Sequence, residues 1–137
     1  MQVDFATIAD YAAIDSTGKL TVVGVFDEIY AQQFPVVWPV MVLLLRLRIK
    51  RVELGLKQQM LIKLSDADGK VLFQIEGEFT PESAAPSPHR PDGTVNQIIR
   101  ITNTQFPEAG AYSIDVFVNN TAVAAVPIYV LERAKPS

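Results

Sequence analysis

The sequence contains no cysteine and only one histidine in 137 residues. The missing cysteines exclude disulfide bonds, thiolate metal sites and cysteine nucleophiles, and they suit a reducing compartment. The single histidine, His89, lies in a segment rich in proline and serine. A general base needs a rigid scaffold and an orienting partner, so we interpret His89 as a solvated loop residue.

Positive charge and long apolar runs are also scarce. The net charge is −3 and the pI is about 5.1, whereas a nucleic-acid-binding domain normally presents a basic surface. The most apolar run, Val36 to Leu45, is interrupted by a proline and is shorter than the roughly 20 residues that span a bilayer. The first residues lack the features of a secretory signal. We therefore expect a cytoplasmic protein that binds neither nucleic acid nor membrane.

What the sequence does contain is alternation of apolar and polar residues with a period of two. This alternation runs through Leu56 to Ser65, Val71 to Phe79, Val40 to Lys50 and Tyr112 to Val118. It predicts strands with one buried face. Because no helical period is sustained, we expect residues 1–137 to form one all-β domain. The predicted fold is a single two-sheet antiparallel β-sandwich, immunoglobulin-like, with about eight strands.

Three short turns are predicted to connect strands. Asp15 to Lys19 and Asp66 to Lys70 share the pattern Asp-x-x-Gly-Lys, in which glycine supplies positive φ and aspartate favours a turn. Asn119-Asn120 predicts a two-residue hairpin loop. Such a loop sets the register of the closing hairpin as Val118 with Thr121, Val116 with Val123, and Ile114 with Ala125.

Two segments are predicted to depart from regular pairing. Residues 80–94 form a surface loop rich in proline and serine, without apolar periodicity. Pro127 cannot donate a ladder hydrogen bond, so the last strand is expected to be an edge strand or to be bulged at this residue.

Charged residues offer little that points to catalysis. Glu76 and Glu78 lie two apart on one strand face, at ~7 Å, which makes hydrolysis by an acid–base pair a weak third hypothesis. Arg46, Arg48 and Lys50, with Arg51, form a basic stripe that could bind phosphate or an acidic partner. We favour the alternative that it pairs across strands with acidic residues such as Glu76 and Glu78. We predict that the domain is not an enzyme, with no catalytic residue, no cofactor and no metal site.

Apolar residues at nominally outward strand positions point to an interaction surface. They are Leu44, Leu61, Leu72, Ile98 and Phe117. Because a large exposed apolar patch usually marks a binding surface, the leading hypothesis is a non-catalytic protein-interaction module. Its partner is expected to be another protein or a second copy of the chain in a homodimer.

The segment from Phe26 to Phe34 supplies the alternative hypothesis. Asp27, Tyr30 and Trp38 are candidate residues for a ligand or partner loop, since loops on a rigid sandwich often carry binding. A small-ligand or carbohydrate-binding sandwich would use Trp38, Tyr30 or Tyr11 as a stacking platform. The competing structural interpretation is that the aromatic residues of this segment plug one end of the sandwich.

Longer stretches of the sequence carry a family resemblance. Ala9-Asp10-Tyr11-Ala12, the stretch Gly18 to Tyr30 (GKLTVVGVFDEIY) and Phe34-Pro35 resemble a family of small bacterial proteins of unknown function, an uncharacterised β-sandwich group. The later hairpins fit it as well, so the resemblance covers nearly the whole chain. It implies a fold and no activity.

Gly110-Ala111-Tyr112 also resembles the immunoglobulin Gly-x-Tyr-x-Cys pattern, with Ile114 at the cysteine position. The resemblance implies a tyrosine corner, in which the Tyr112 hydroxyl bonds to upstream backbone.

Overall fold

The structure is a computed structural model that describes residues 1–82, 88–90 and 92–134. Within these ranges it contains one short 3-10 helix, Arg51–Glu53, and nine β-strands. The strands are β1 (Gln2–Ile14), β2 (Leu20–Val25), β3 (Glu28–Ala31), β4 (Val36–Ile49), β5 (Gln58–Asp66), β6 (Val71–Phe79), β7 (Gly93–Phe106), β8 (Gly110–Val118) and β9 (Thr121–Glu132).

These strands form two sheets that share one apolar core. The four-stranded sheet has the order β2-β1-β4-β7, and the five-stranded sheet has the order β3-β9-β8-β5-β6. Alternate residues of both sheets meet in the core, as the sequence period predicts. The structure thus confirms an all-β two-sheet sandwich.

Strand β3 is the element that the sequence pattern does not predict. It lies inside the segment Phe26 to Phe34 and pairs in parallel with β9, from Glu28 opposite Tyr129 to Ala31 opposite Glu132. The described sandwich therefore has nine strands rather than about eight, and one pair in it is parallel. Four residues are too few for a clear alternation, so only the pairing with β9 defines this strand.

The predicted turn of the closing hairpin is confirmed, whereas the predicted register is wrong after the first pair. Asn119 and Asn120 have φ values of 49° and 67°, as a two-residue turn of type I′ requires, and Val118 pairs with Thr121. A bulge between Val116 and Phe117 then shifts the register by one residue. The remaining predicted pairs become Val116 with Ala124 and Ile114 with Val126.

The last strand, β9, is an inner strand of its sheet rather than an edge. Pro127 is nevertheless accommodated, because β3 pairs only with Tyr129 to Glu132 and Pro127 lies outside that stretch. The bulge predicted at Pro127 is absent from the pairing, which places Pro127 opposite Ser113 without a register shift.

The two Asp-x-x-Gly-Lys turns have the same hydrogen bonds. The Asp15 carboxylate accepts from the amides of Thr17 and Lys19, at 2.8 and 2.9 Å. The Asp66 carboxylate likewise accepts from the amides two and four residues later, both at 2.9 Å. These bonds satisfy turn amides that would otherwise need water. The shared pattern is therefore shared turn chemistry.

The tyrosine corner is also present. The Tyr112 hydroxyl donates to the Glu108 carbonyl at 2.6 Å, and its ring packs edge-on against Phe106 at 4.9 Å between centroids. Burial raises the pKa of Tyr112, and the hydrogen bond to Glu108 partly opposes this effect.

Strands β4 and β7 of the four-stranded sheet each change the face that they turn to the core. On β4, Val36 and Trp38 pack against the core at even positions, whereas Met41, Leu43 and the following alternate residues do so at odd positions. Pro39 stands at the change. On β7 the change falls at Asn103, whose φ is +54°, and it turns the even positions Thr104 and Phe106 inward.

A second, smaller apolar cluster lies on the outer face of the four-stranded sheet. Its buried members are Ala9, Val42 and Leu44. Val42 and Leu44 alternate with core residues of β4, so they face away from the other sheet. The residues packed against them are Ala12, Leu20, Val22 and Ile98. Most of this cover comes from β1 and β2, so the β1–β2 hairpin packs on the outer face of its own sheet.

Candidate functional site

The five outward apolar residues do not form one surface. Leu44 and Ile98 are register partners on the four-stranded sheet, whereas Leu61 and Phe117 are register partners on the five-stranded sheet. Leu72, on β6, packs against the main core. Leu44 is fully buried beneath the β1–β2 hairpin, so the expectation of an exposed Leu44 is wrong. Alternation shows that a residue faces away from the main core, but it does not show that the residue is exposed to solvent.

Leu61 and Phe117 border a shallow depression on the outer face of the five-stranded sheet. It has a volume of about 390 Å³ and is also lined by Glu76, Glu78 and Asn120. Both apolar side chains are half-buried, and the Lys63 ammonium lies 5.6 Å from the centre of the Phe117 ring. This arrangement leaves little apolar area for a partner.

The two glutamates have local partners on this face. Glu78 forms an ion pair with Lys57 at 3.0 Å, and Glu76 accepts a hydrogen bond from Gln74 at 3.4 Å. Exposed neighbours of this kind are ordinary on a solvated strand face.

The basic stripe pairs with different acids from those expected. Arg48 binds Asp4 at 2.7 Å and Asp92 at 3.2 Å, and the hydrogen bond with Asp4 is the main cause that raises the pKa of Arg48. The glutamates of β6 belong to the other sheet. Arg48 therefore pairs with an acidic residue across strands, as expected, but its partner on β1 is Asp4 and the predicted partners Glu76 and Glu78 are wrong.

Asp27, Tyr30 and Trp38 have different environments. The Asp27 carbonyl accepts a hydrogen bond from the Tyr129 amide at 2.7 Å, which ties the segment to β9. Tyr30 is exposed on β3, between the buried Ile29 and Ala31, whereas Trp38 is half-buried against the core.

The environments of the two aromatic rings also differ. The Tyr30 hydroxyl donates to the Glu28 carboxylate at 2.5 Å, a bond that raises the pKa of Tyr30, and the Arg133 guanidinium lies 4.6 Å from its ring centre. Trp38 packs against Phe26 with ring centres 6.0 Å apart. Neither ring is an open stacking platform, and the Phe26–Trp38 contact matches the interpretation that aromatic residues fill one end of the sandwich.

The β1–β2 hairpin exposes several large apolar side chains. Tyr11, Val23 and Val25 are 57%, 55% and 62% exposed. Tyr11 and Val23 stand opposite each other in the register, so their side chains are neighbours on one face. The motif that contains these residues can be recognised in the sequence, but alternation alone does not show which side of the hairpin is exposed to solvent.

Strand β2 is also an edge strand of the four-stranded sheet. Its residues, Leu20–Val25, include no charge and no proline, although natural edges are usually protected by such residues. Gly24, at φ +72°, lies against the Asp10 side chain, where a Cβ atom would overlap the carboxylate. This local distortion is the only protective feature that we find on β2 itself.

Other classes of site find no support within the described ranges. No three histidine, aspartate or glutamate residues there are grouped so as to hold a metal ion. No helix in the part of the chain that the structure describes has the length and apolar character needed to cross a bilayer. The loop prediction for 80–94 is testable only in part, since residues 83–87 and 91 lie outside the described residues and β7 already begins at Gly93.

The strand order and the two apolar clusters define the class of this protein as a small two-sheet β-sandwich. The model of DUF6941, described as a family of unknown function, matches residues 4–131. The chain therefore belongs to this family, which agrees with the resemblance found in its sequence. No curated protein matches the chain.

Proposed function

We propose that the domain is a non-catalytic interaction module of the bacterial cytoplasm, and that it forms a homodimer through its β1–β2 hairpin. The observation that carries the proposal is the exposure of Tyr11, Val23 and Val25 beside an unprotected edge strand. Contiguous apolar exposure of this kind usually marks an interaction surface. The absence of cysteine fits the reducing cytoplasm.

A second copy of the chain is the partner that suits this edge. Edge strands accept another strand through their unpaired backbone groups, and two copies related by a two-fold axis would pair β2 antiparallel with itself. Because β2 carries no charge, its two copies meet without repulsion along the strand.

Charges at the two ends of β2 support the same arrangement. Lys19 precedes the strand and Asp27 follows it by two residues, and both side chains are exposed. Antiparallel pairing brings the beginning of one β2 to the end of the other. Lys19 of each copy would therefore approach Asp27 of the other copy, once at each end. These two contacts between opposite charges favour the antiparallel arrangement.

Sedimentation velocity across a concentration series tests the proposal. The wild-type protein is expected to shift from monomer to dimer as its concentration rises. Val23→Lys places a charge in the apolar edge and is expected to keep the protein monomeric. Val37→Lys is the matched control, because Val37 is a strand valine that is 51% exposed outside the hairpin, and it should leave the dimer intact.

Charge reversal separates loss of association from loss of folding. Lys19→Asp and Asp27→Lys each place like charges at the ends of the interface and should weaken the dimer, whereas the double variant should restore it. A wild-type protein that stays monomeric throughout, or a Val23→Lys variant that still dimerises, would rule out this interface.

A further inference from the structure

A groove opens between the outermost strands of the two sheets, β6 and β7, away from the β1–β2 hairpin. It has a volume of about 420 Å³. Leu72, Phe73 and Ile75 line it from β6, and the segment Arg100–Gln105 lines it from β7. Its size lies in the range of sites that bind small molecules.

The groove contains a buried hydroxyl that has no hydrogen-bond partner. Thr104 lines it, is only 4% exposed, and its Oγ1 atom bonds to nothing among the described residues. An unpaired buried hydroxyl destabilises the folded state, and native structures contain few such groups.

A second unpaired group lies on the neighbouring strand. Trp38 is the register partner of Thr104, and its indole Nε1–H is also buried without a partner in the described part of the chain. Only one other buried side-chain atom of this kind occurs there, the Oδ1 atom of Asn96. Two of the three therefore belong to one cross-strand pair.

The backbone conformation of β7 places the hydroxyl inside. If the inward alternation of Ile99 and Ile101 continued, Asn103 would be the next inward residue and Thr104 would face outward. Instead Asn103 is left-handed, with φ +54°, and Thr104 and Phe106 are buried. Asparagine is, after glycine, among the residues that adopt this conformation most readily. The left-handed Asn103 thus turns the Thr104 hydroxyl towards the inside.

The chemistry of the two groups defines what would bind. The indole N–H only donates, whereas the threonine hydroxyl both donates and accepts. The β6 side of the groove is apolar, so burying a net charge against it would be costly. The one charged lining residue, Arg100, belongs to the β7 side and is exposed. We propose that this groove binds a small uncharged molecule whose apolar body lies against Leu72, Phe73 and Ile75, and whose carbonyl or amide group pairs with the Thr104 hydroxyl. Trp38 does not line the groove itself, but it is the register partner of Thr104 and reports on binding there.

Trp38 is the only tryptophan in the chain, so its indole N–H gives one assignable resonance in a ¹H–¹⁵N NMR spectrum. ε-Caprolactam serves as the probe, because its amide supplies one acceptor and one donor on an apolar ring. Cyclohexanecarboxylate is the charged comparator. We expect caprolactam to shift the Trp38 resonance in a saturable way and the carboxylate to leave it unchanged.

Thr104→Val removes the hydroxyl while keeping the shape of the side chain. It should weaken caprolactam binding roughly three- to tenfold, the value of one hydrogen bond, and leave the urea midpoint of the free protein unchanged or raised. Thr121→Val, at an exposed threonine outside the groove, is the control and should change neither. The proposal is overturned if caprolactam leaves the Trp38 resonance unshifted, if Thr104→Val binds it as tightly as the wild type, or if Thr104→Val clearly destabilises the free protein.

Discussion

Replacement of Leu44 by alanine measures how much the β1–β2 hairpin contributes to stability by covering its own sheet. The Leu44 side chain is fully buried, although it lies on the outer face of the four-stranded sheet. The substitution removes three carbon atoms, and burial of each contributes ~0.8 kcal/mol, which amounts to ~2.4 kcal/mol. The cavity that remains raises the expected loss towards ~5 kcal/mol if the hairpin does not collapse onto it.

Urea denaturation followed by circular dichroism measures this loss. Domains of this size have a free energy of unfolding of roughly 5–15 kcal/mol. The loss expected for Leu44→Ala is a large fraction of that value, so the urea midpoint of the variant should fall by much more than the experimental error. The slope of the free energy of unfolding against urea concentration should be the same in the variant and the wild type if the substitution changes only stability. Leu56→Ala is the control, because Leu56 is exposed and precedes β5, and it should cost less than ~1 kcal/mol.

Equal losses for the two variants would contradict the reasoning. Leu44 would then be open to solvent, the hairpin would not pack on the sheet, and the outer face of the four-stranded sheet would again be available to a partner. A large loss for Leu44→Ala alone restricts the apolar surface for dimerisation to the exposed side of the hairpin.

Three further predictions concern hydrogen bonds and backbone conformation. Tyr112→Phe removes the bond to Glu108 and should cost ~0.5–1.5 kcal/mol in urea denaturation at neutral pH. Since burial raises the pKa of Tyr112, the unfolded phenol ionises first above about pH 10, so the wild-type advantage should shrink as pH rises through the folded pKa; a constant difference would contradict the burial of the phenol. Glu28→Gln should lower the pKa of Tyr30 towards its ordinary value in a spectrophotometric titration, and an unchanged titration would contradict the hydrogen bond between the two side chains. Gly69→Ala should cost about 1–2 kcal/mol, because φ is +85° while the added Cβ atom meets nothing within 4 Å, and an unchanged urea midpoint would show that the turn adopts another conformation.

Local features of the fold are the part that sequence reasoning predicts well. The turn at Asp66 and the corner at Tyr112 both depend on residues close together in the chain, and each has its own chemical signature. The inward residues of β4, from Leu43 to Ile49, follow from alternation within one strand. These features need no knowledge of distant contacts.

The features that differ from expectation all depend on distant contacts. Strand β3 is defined only by its pairing with β9. In the closing hairpin, the turn predicts the first pair, Val118 with Thr121, correctly, but the bulge at Val116 shifts the pairs that follow. Nothing in the local pattern of these residues distinguishes the observed arrangement from the simpler one.

The sequence by itself determined that this chain forms strands, where its tight turns lie and which residues of most strands face the main core. Those properties follow from the two-residue period and from turn chemistry, which act over a few neighbouring residues. Only the tertiary structure decided that Leu44 is buried while Tyr11 and Val23 are exposed. The period of a strand separates its two faces, but whether the outer face meets solvent, a partner or the protein's own hairpin depends on how the chain folds back over it.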